Sequence, residues 1–525
     1  MAAHQYFTDE HELFRQSVKQ FIAAEVKPYI NEWEKAEMLP RSLFTKMGEL
    51  GFLGINFPES LGGAASDFWY SVVYLEELAR AGFAGISAAV SVHQYMATNH
   101  ILRAGSDALK QKYLPKSISG EYVGSIAITE PGAGSDVANI RTTAVKDGDS
   151  YVINGSKTFI TNGHYGNFVT VACKTDPAAG IGGISLIVVD RGTAGFTSKK
   201  LDKMGWKSSD TAEMFFDQVR VPASNLVGEE GKGFFYIMES FQLERLVGAI
   251  LAVAGADEVI QWTLQYMNER SAFGKPLGKF QVLRHKLVDL ISELEITRQF
   301  VYHCCWKEAN HLFAVKECSM AKMKATELGK TIADECLQIF GGYGYMSEYP
   351  IERAYRDARV GTIVAGTTEI MKEIIAKTVI DGINYESSYE NMRGSSISAN
   401  VKPENELNSN KTNSKSSMAT PETAREILYS LPDRLKVEKA EGMEGVFHFK
   451  MEGEGDFTIT LKDQKVNVEE GLHGDPTCEV KAKASDYADI ELGKTNPQMA
   501  FMMGKIKISN LGEMMKFMGL FRKLA

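Results

Sequence analysis

The spacing of hydrophobic residues changes four times along this 525-residue chain. Over residues 1–120, apolar positions recur three and four residues apart, which predicts amphipathic helices. Over 121–230, short runs rich in Val, Ile, Phe and Thr are separated by turn residues, which predicts strands. Over 231–380 the helical spacing returns, and the first run is apolar through its middle. We therefore expect that helix to be buried on most sides.

Beyond residue 380 the pattern divides again. Residues 381–420 are rich in Ser, Asn, Glu and Lys and poor in large apolar residues. Such a segment cannot bury enough surface to offset its ordering entropy, so we predict a flexible linker. Residues 421–525 combine a helical run, four alternating strand-like runs and two Met-rich helical runs, which predicts a small α+β domain.

These patterns predict a multidomain, mainly α protein. We expect an N-terminal α-helical domain, a middle antiparallel β domain, a C-terminal four-helix-bundle domain, the linker, and the small α+β domain. The middle region does not fit a Rossmann unit, because parallel βαβ units need helices between their strands and no helical pattern separates these strands.

Charge and cysteine content narrow the classes of function. The chain has 58 basic and 67 acidic residues, a net charge of -9, which disfavours nucleic acid as a partner. Its six cysteines form no C-x-x-C pair, so a disulfide framework is not expected. The N-terminal segment lacks the features of a signal peptide, and there is no apolar run of about 18 residues. We therefore expect a cytoplasmic protein that is not integral to a membrane.

Two stretches in the β region are candidates for ligand binding. AITEPGAGSD at 127–136 predicts a strand that ends at Thr129 and then a tight turn, whose backbone N–H groups could bind carbonyl or phosphate oxygens. KTFITNG at 157–163 places Phe159 and Thr161 on one face of a strand, which suits an aromatic ring system stacked on the sheet. Taken alone, these are also explained as a plain turn and a hairpin.

Three stretches in the second helical region are further candidates. RSAFGKPLGKFQ at 270–281 supplies Arg270, whose guanidinium suits a diphosphate, although an arginine at a helix end is more often simply solvated. QIFGGYGY at 338–345 ends a helix on paired glycines that leave bare backbone for packing. IVAGTTEIM at 363–371 is a glycine turn that a substrate could approach closely, but the turn itself carries no acid.

In this order and at this spacing, the five motifs resemble those of the acyl-CoA dehydrogenase family over about residues 5–380. The segment DKMGWKSSDTAEMFFDQVRVPASNLVGEEGKGF at 202–234 is most similar to the long-chain and isovaleryl branches. The tail from about 421 resembles the sterol carrier protein fold, a lipid-binding module with an apolar tunnel.

The resemblance implies FAD-dependent oxidation of a fatty acyl-CoA to the trans-2-enoyl-CoA, as in fatty acid beta-oxidation. A carboxylate removes a proton next to the thioester, and a hydride leaves the neighbouring carbon for the flavin. The implied partners are the acyl-CoA substrate, an electron-transfer flavoprotein, a possible lipid ligand for the tail, and further copies of the chain in a homotetramer or homodimer. Acyl length and branching stay open, with medium to long chains favoured.

The resemblance also assigns site residues, motif by motif. Residues near Phe159 would pack beside the flavin ring, and those near Arg270 would hold the diphosphate and adenosine of a cofactor across a subunit boundary. The cofactor-binding set is Ile126, Ala127, Ile128, Thr129, Gly134, Ser135, Phe159, Ile160, Thr161, Arg270, Phe273, Gln281, Gln338, Gly341, Gly342, Thr367 and Glu369. The substrate-binding set is Ser135, Gln242, Arg245, Ala365 and Gly366. No metal is expected.

The catalytic base is the one departure from the commonest family pattern. Many members carry a Glu directly before the Gly-Thr of the last motif, where this chain has Ala365. The long-chain and isovaleryl branches place that Glu on another helix, in a segment that here reads FQLERL and contains Glu244. A carboxylate partly buried there should have a raised pKa. A surface ion pair is the ordinary alternative for Glu244, and Glu369 is a weaker candidate for the base.

Family likeness also gives Ala365 a role, because its backbone N–H would donate to the thioester oxygen. Two other functions stay open: a non-catalytic lipid or acyl-CoA carrier on a degenerate scaffold, and an oxidase that reduces oxygen. In the tail, a set of methionines suits either an adaptable apolar cavity or plain core packing. They are Met499, Met502, Met503, Met514, Met515 and Met518.

Overall fold

The computed structural model describes residues 6–381, 421, 423–437, 440, 443–492, 500, 505–522 and 524. It divides into two compact units, Met1–Ile374 and Ile375–Ala525. Apart from Asp381, the predicted linker lies outside the described residues. None of the helices in the described part of the chain has the length and apolarity needed to cross a membrane.

The N-terminal region is helical, as predicted. Side chains that favour N-caps begin several helices: the hydroxyl of Thr8 accepts from the backbone N–H of His11, and Asp67 accepts from that of Trp69. A π-helical turn, Val92–Ala97, leads directly into α6. The helices are α1 Asp9–Phe21, α2 Ile30–Ala36, α3 Arg41–Glu49, α4 Phe68–Ala79, α5 Ala84–Ser91, α6 Thr98–Ala104 and α7 Asp107–Ile118.

The middle region forms one eight-stranded sheet. Its order is β6-β7-β3-β2-β4-β5-β8, and β1 pairs with β4 off this path. Buried apolar side chains alternate with exposed ones along strands such as β7. This alternation is the reason that the strands could be predicted from the sequence. The strands are β1 Gly124–Ala127, β2 Thr143–Asp147, β3 Ser150–Thr161, β4 Phe168–Lys174, β5 Ile184–Asp190, β6 Phe196–Lys200, β7 Thr211–Pro222 and β8 Leu226–Val227.

Most of these pairings are antiparallel, as expected, but two are parallel. Strand β1 pairs with β4 in parallel from Gly124↔Phe168 to Ala127↔Val171, and β2 meets β4 in parallel at Thr143↔Lys174. Because β3 runs opposite to β2 and then joins β7, the chain returns to β4 in the direction of β2. The sequence pattern reports which residues are buried but not the direction of a partner strand.

Three long helices dominate the next region: α8 Gly233–Glu269, α9 Gln281–Ala309 and α10 Val315–Phe340. Buried residues recur along α8 from Ile237 to Met267, which confirms the expectation of a buried helix. The three helices share one core, to which α4 also contributes Val72 and Leu75. The shorter elements are β9 Ser271–Ala272, β10 Lys275–Pro276, α11 Pro350–Ala358 and α12 Thr368–Val379.

The second unit is a small α+β fold around a five-stranded sheet with the order β13-β12-β11-β14-β15. Its core includes Phe449, Tyr487 and Phe517. Met514 is buried, and Met518 packs against that core, whereas Met499, Met502, Met503 and the side chain of Met515 lie outside the described residues. The elements are α13 Ala424–Tyr429, α14 Leu431–Arg434, β11 Gly445–Glu452, β12 Gly455–Lys462, β13 Lys465–Glu470, β14 Cys478–Lys483, α15 Ala484–Glu491, β15 Ile506–Ile508 and α16 Leu511–Gly519.

Candidate active site

Glu244 lies on α8 and is almost fully buried, with 6% of its surface exposed. Its Oε1 atom has no hydrogen-bond partner among the described residues. Burial raises the pKa of this carboxyl to about 7, and the opposing influence of Arg245 is smaller. The expected raised pKa is therefore confirmed, and the carboxyl can exchange a proton near neutral pH.

Arg245, the next residue on α8, is also buried. Burial lowers the pKa of its guanidinium to about 10, although Glu244 acts in the opposite direction. The guanidinium lies 5.3 Å from the centre of the Phe241 ring, and its Nε has no partner in the described part of the chain. Buried polar atoms are normally satisfied, so open ones on adjacent residues mark a candidate ligand site.

The backbone at Ala365 and Gly366 forms a sharp corner. Both residues are in the left-handed region, with φ values of 53° and 89°. That conformation is costly for alanine and is typical of backbone held in place for a function. Helix α12 starts just after the corner, where the hydroxyl of Thr367 accepts from the backbone N–H of Ile370 at 3.3 Å.

Lys322, on α10, holds this corner from within the protein. Its Nζ donates to the carbonyl oxygen of Gly366 at 2.6 Å. Burial, and then the positive charge of Arg245, lower the pKa of Lys322 to about 8, while Glu369 acts in the opposite direction. Lys322 is therefore bonded to the corner and also lies within the electrostatic influence of Arg245 on α8. Sequence analysis missed this residue, because its partner is a backbone carbonyl on a distant segment.

Phe159 is the most prominent feature of the sheet surface. Its side chain is 70% exposed and its φ is 62°, next to a register shift between Lys157 and Ile160 in the pairing of β3 with β7. Ile160 is buried and Thr161 is half-buried, so Phe159 and Thr161 share the outer face, as predicted. A bulge of this kind re-aims a side chain, and here it presents an aromatic ring.

The turn after β1 lies against this bulge. Strand β1 ends at Ala127, two residues before the predicted end, because the carbonyl of Thr129 instead accepts from the backbone N–H of Thr158 at 2.9 Å. Below it, buried Lys157 donates to Glu130 at 2.9 Å. This ion pair, which sequence analysis also missed, fixes the turn to the sheet, while a Cβ at Gly134 would meet open space.

A cleft of about 490 Å³ brings three predicted cofactor residues together: Arg270, Gly341 and Gly342. The Arg270 guanidinium lies 5.2 Å from the centre of the Tyr343 ring, at the wall of the same cleft. No atom lies within 4 Å of a Cβ built on either glycine, so the backbone there is open. An arginine beside open backbone suits a phosphate-bearing group.

The remaining predicted residues divide by environment. Phe273 is 96% exposed with a φ of 50°, and Gln281 and Gln338 are also exposed. Gln242 uses its amide within the protein, donating to Glu308 at 2.8 Å and accepting from the backbone N–H of Ala314 at 2.9 Å. These bonds tie α8 to the end of α9 and the start of α10, and they leave the proposed substrate contact of Gln242 without support from the geometry.

Most of the chain is similar to proteins of known families. Acyl-CoA dehydrogenase family models match in three consecutive stretches: the N-terminal domain over 8–121, the middle domain over 125–219 and the C-terminal domain over 231–380. The chain belongs to the acyl-CoA dehydrogenase family, whose members are FAD-dependent oxidoreductases. Residues 425–522 match the SCP-2 sterol transfer family, so the predicted fusion is confirmed.

The relatives include members of the long-chain and the isovaleryl branches, the two to which the sequence analysis found the greatest similarity. The mitochondrial long-chain specific acyl-CoA dehydrogenase of Sus scrofa is 43% identical over 377 residues, which cover 71% of this chain and 87% of the relative. The mitochondrial isovaleryl-CoA dehydrogenase of Oryza sativa subsp. japonica is 38% identical over 375 residues, 71% of this chain and 91% of the relative. The crystal structure of an acyl-CoA dehydrogenase from Geobacillus kaustophilus is 48% identical, with a TM-score of 0.69, and covers 71% of this chain and 99% of its own.

Proposed function

We propose that this protein oxidises a saturated acyl-CoA to the trans-2-enoyl-CoA with bound FAD, and that Glu244 is the base. The observation that carries the proposal is the buried carboxyl of Glu244, which has an open oxygen and a pKa near 7. The next residue, Arg245, influences the charge of Lys322, which donates to the Gly366 carbonyl of the Ala365–Gly366 corner. A general base works best when its pKa lies near the operating pH, and burial gives Glu244 that property.

Glu244 removes a proton from the carbon next to the thioester carbonyl. Arg245 supports this step, because its positive charge favours the ionised carboxylate and limits the rise in pKa that burial causes. The backbone N–H of Ala365 donates to the thioester oxygen, where negative charge builds as the proton leaves. A corner held at an unusual φ keeps that donor in place before the substrate arrives.

The described residues fit FAD in two places. Phe159 and Thr161 offer an exposed face for the ring system, and Arg270 with the open backbone of Gly341 and Gly342 suits the diphosphate side. The chemistry that FAD supplies when bound is acceptance of a hydride from the carbon beyond the one that Glu244 deprotonates.

The two cofactor regions belong to different active sites in this proposal. Glu244 and Arg270 stand 26 residues apart on and just after one continuous helix, which separates them by about 39 Å at about 1.5 Å per residue. That distance is too long for one cofactor to serve both positions of a single chain. The region around Arg270 and the exposed Phe273 therefore completes the cofactor site of a second copy, in a homodimer or homotetramer.

Electrons leave through an electron-transfer flavoprotein in this proposal, and the C-terminal domain holds a fatty acyl ligand close to the enzyme. The buried Met514 and the adjacent Met518 support an adaptable apolar interior in that domain. We favour medium- to long-chain substrates. If residues 421–525 expressed alone bind no fatty acyl ligand, the carrier role is wrong.

The purified protein tests the main proposal directly. It should be yellow, and anaerobic addition of one compound from a saturated C4 to C16 acyl-CoA series should bleach the flavin. The rates across that series then give the chain-length preference. A yellow protein that no acyl-CoA bleaches would instead support the carrier on a degenerate scaffold, and peroxide release during aerobic turnover would support the oxidase.

A further inference from the structure

Lys322 differs from the other buried lysines of the described chain. Three lysines there are almost fully buried: Lys157, Lys307 and Lys322. Lys157 donates to Glu130 at 2.9 Å and Lys307 donates to Glu317 at 2.8 Å, so each has a carboxylate partner. Lys322 is only 1% exposed, yet within the described residues no carboxylate lies at salt-bridge distance from it, and its hydrogen bond goes to a backbone carbonyl.

Such an ammonium group is costly to bury. A charged group removed from water is destabilising unless it is paired, and a neutral carbonyl returns less than a carboxylate does. A methionine of similar length would fill the same space without that cost. Lys322 is therefore poorly explained by stability alone, and its position beside the strained corner suggests a role at the reaction centre.

We infer that Lys322 is a positioning residue for the oxidation of acyl-CoA, which holds the Ala365–Gly366 corner so that the Ala365 N–H meets the thioester oxygen. The 2.6 Å bond to the Gly366 carbonyl fixes the residue that follows Ala365. In this role its positive charge would also stabilise the negative charge that develops on the thioester oxygen. This inference rests on the proposed function, because it presumes that the corner binds the thioester.

Several charged groups face Lys322. Arg245 on α8 destabilises its ammonium form, while Glu369 on α12 and Glu327 on its own helix stabilise it. Burial is the largest influence, and the resulting pKa of Lys322 is about 8. The ammonium is therefore lost as the pH rises through about 8, whereas Glu244 becomes ionised as the pH rises through about 7. Flavin reduction should then have an alkaline limb that Lys322 causes, in addition to the acid limb of Glu244.

The test compares full-length, FAD-loaded wild type with Lys322→Met in anaerobic stopped-flow reduction from pH 6 to 9.5. The substrate is the fastest saturated acyl-CoA of the C4 to C16 series. We expect the variant to reduce its flavin about 10- to 100-fold more slowly at pH 7.5, since one transition-state contact is weakened. Its acid limb should persist and its alkaline limb near pH 8 should vanish. The limiting rate of flavin reduction should fall much more than the affinity for acyl-CoA.

A matched control removes another buried lysine. The double variant Lys307→Met with Glu317→Gln deletes both partners of a buried pair on α9 and α10, and it should keep the alkaline limb. If Lys322→Met does not fold, Lys322→Arg serves instead, because an arginine stays charged and should move the limb above the measured range.

The outcomes separate this inference from the proposed function. An alkaline limb that persists in Lys322→Met or Lys322→Arg would overturn the role of Lys322 while leaving acyl-CoA oxidation intact. Equal loss in Lys322→Met and in the double control would also overturn it, since that pattern reflects general destabilisation. A wild type that no acyl-CoA bleaches would instead overturn the proposed function.

Discussion

The two sides of the proposed active site are built in opposite ways. The base side is made of Glu244, Arg245, Lys322 and the Ala365–Gly366 corner. It is buried within one chain, apart from the half-buried corner itself, and Lys322 is bonded to that corner. The cofactor side, made of Phe159, Arg270, Phe273, Gly341 and Gly342, is largely exposed and open. The groups that act on the substrate are thus positioned by the chain itself, whereas the cofactor-binding residues lie on surfaces that FAD or a second copy of the chain would cover.

The largest expected effect comes from breaking the base side. Glu244→Gln keeps the size and burial of the side chain but cannot accept the proton, so flavin reduction should fall about 10²- to 10⁴-fold while FAD stays bound. Anaerobic stopped-flow absorbance measures the rate. Glu258→Gln, on the same helix, is the matched control and should reduce its flavin at the wild-type rate. Near-normal bleaching by Glu244→Gln would refute the assignment.

A substitution on the cofactor side should weaken FAD binding and should not affect proton removal by Glu244. Arg270→Met removes a charged hydrogen-bond donor from the cleft, which should weaken FAD binding by about 10- to 100-fold. Titration of the apoprotein with FAD measures this change. The exposed Arg284, which donates to the Gly278 carbonyl, provides the control Arg284→Met. Unchanged FAD affinity in Arg270→Met would remove the cleft from the cofactor site.

The two sides of the site should also differ in the pH dependence of the wild type: the rate of flavin reduction should depend on pH, and FAD affinity should not. Burial raises the pKa of Glu244 to about 7, so the base is increasingly protonated below that pH. The rate of flavin reduction should fall about tenfold for each pH unit below 7, as expected for one essential base. FAD affinity should change little between pH 6 and 7, because Glu244 is not part of the cofactor side. An acid limb centred near pH 4.5 would show that burial does not govern this carboxyl.

The smallest effect is expected for Ala365→Gly at the corner, and Ala365→Pro is its contrasting partner. Ala365→Gly keeps the backbone N–H and suits a φ of 53°, so activity should stay within about threefold of wild type. Ala365→Pro removes the N–H and cannot adopt that φ, so its activity should be largely lost. Rates of flavin reduction for the two variants test this role. Similar activity in both would show that the N–H is not used.

Part of this site could be predicted from the sequence, and part could not. Glu244 was identified because its motif stands in one short segment, and its raised pKa followed from the apolar helix around it. Lys322 was missed because its partner is a backbone carbonyl 44 residues away, which no side-chain pattern records. The positive φ values of Phe159 and Ala365 were equally hidden, since only glycine signals that conformation in a sequence.

The fold shows the same division. Helical and strand periodicity identified the helix, β, helix order and the separate α+β unit, because burial imposes those periods on each segment. The parallel pairing of β1 with β4 and the early end of β1 depend on contacts between distant segments. For the same reason, α4 was not recognised as part of the core of the long helices.

The length of α8 affects how mutations in different copies of the chain combine within one oligomer. If one end of this helix serves one active site and the other end serves its neighbour's, a lesion at Glu244 and a lesion at Arg270 spoil different sites. If a chain mutated at Glu244 and a chain mutated at Arg270 assemble together, some active sites would receive the unmutated residue from each chain and would be intact. Loss of activity would depend on how lesions are distributed among copies, and not only on how many copies carry one.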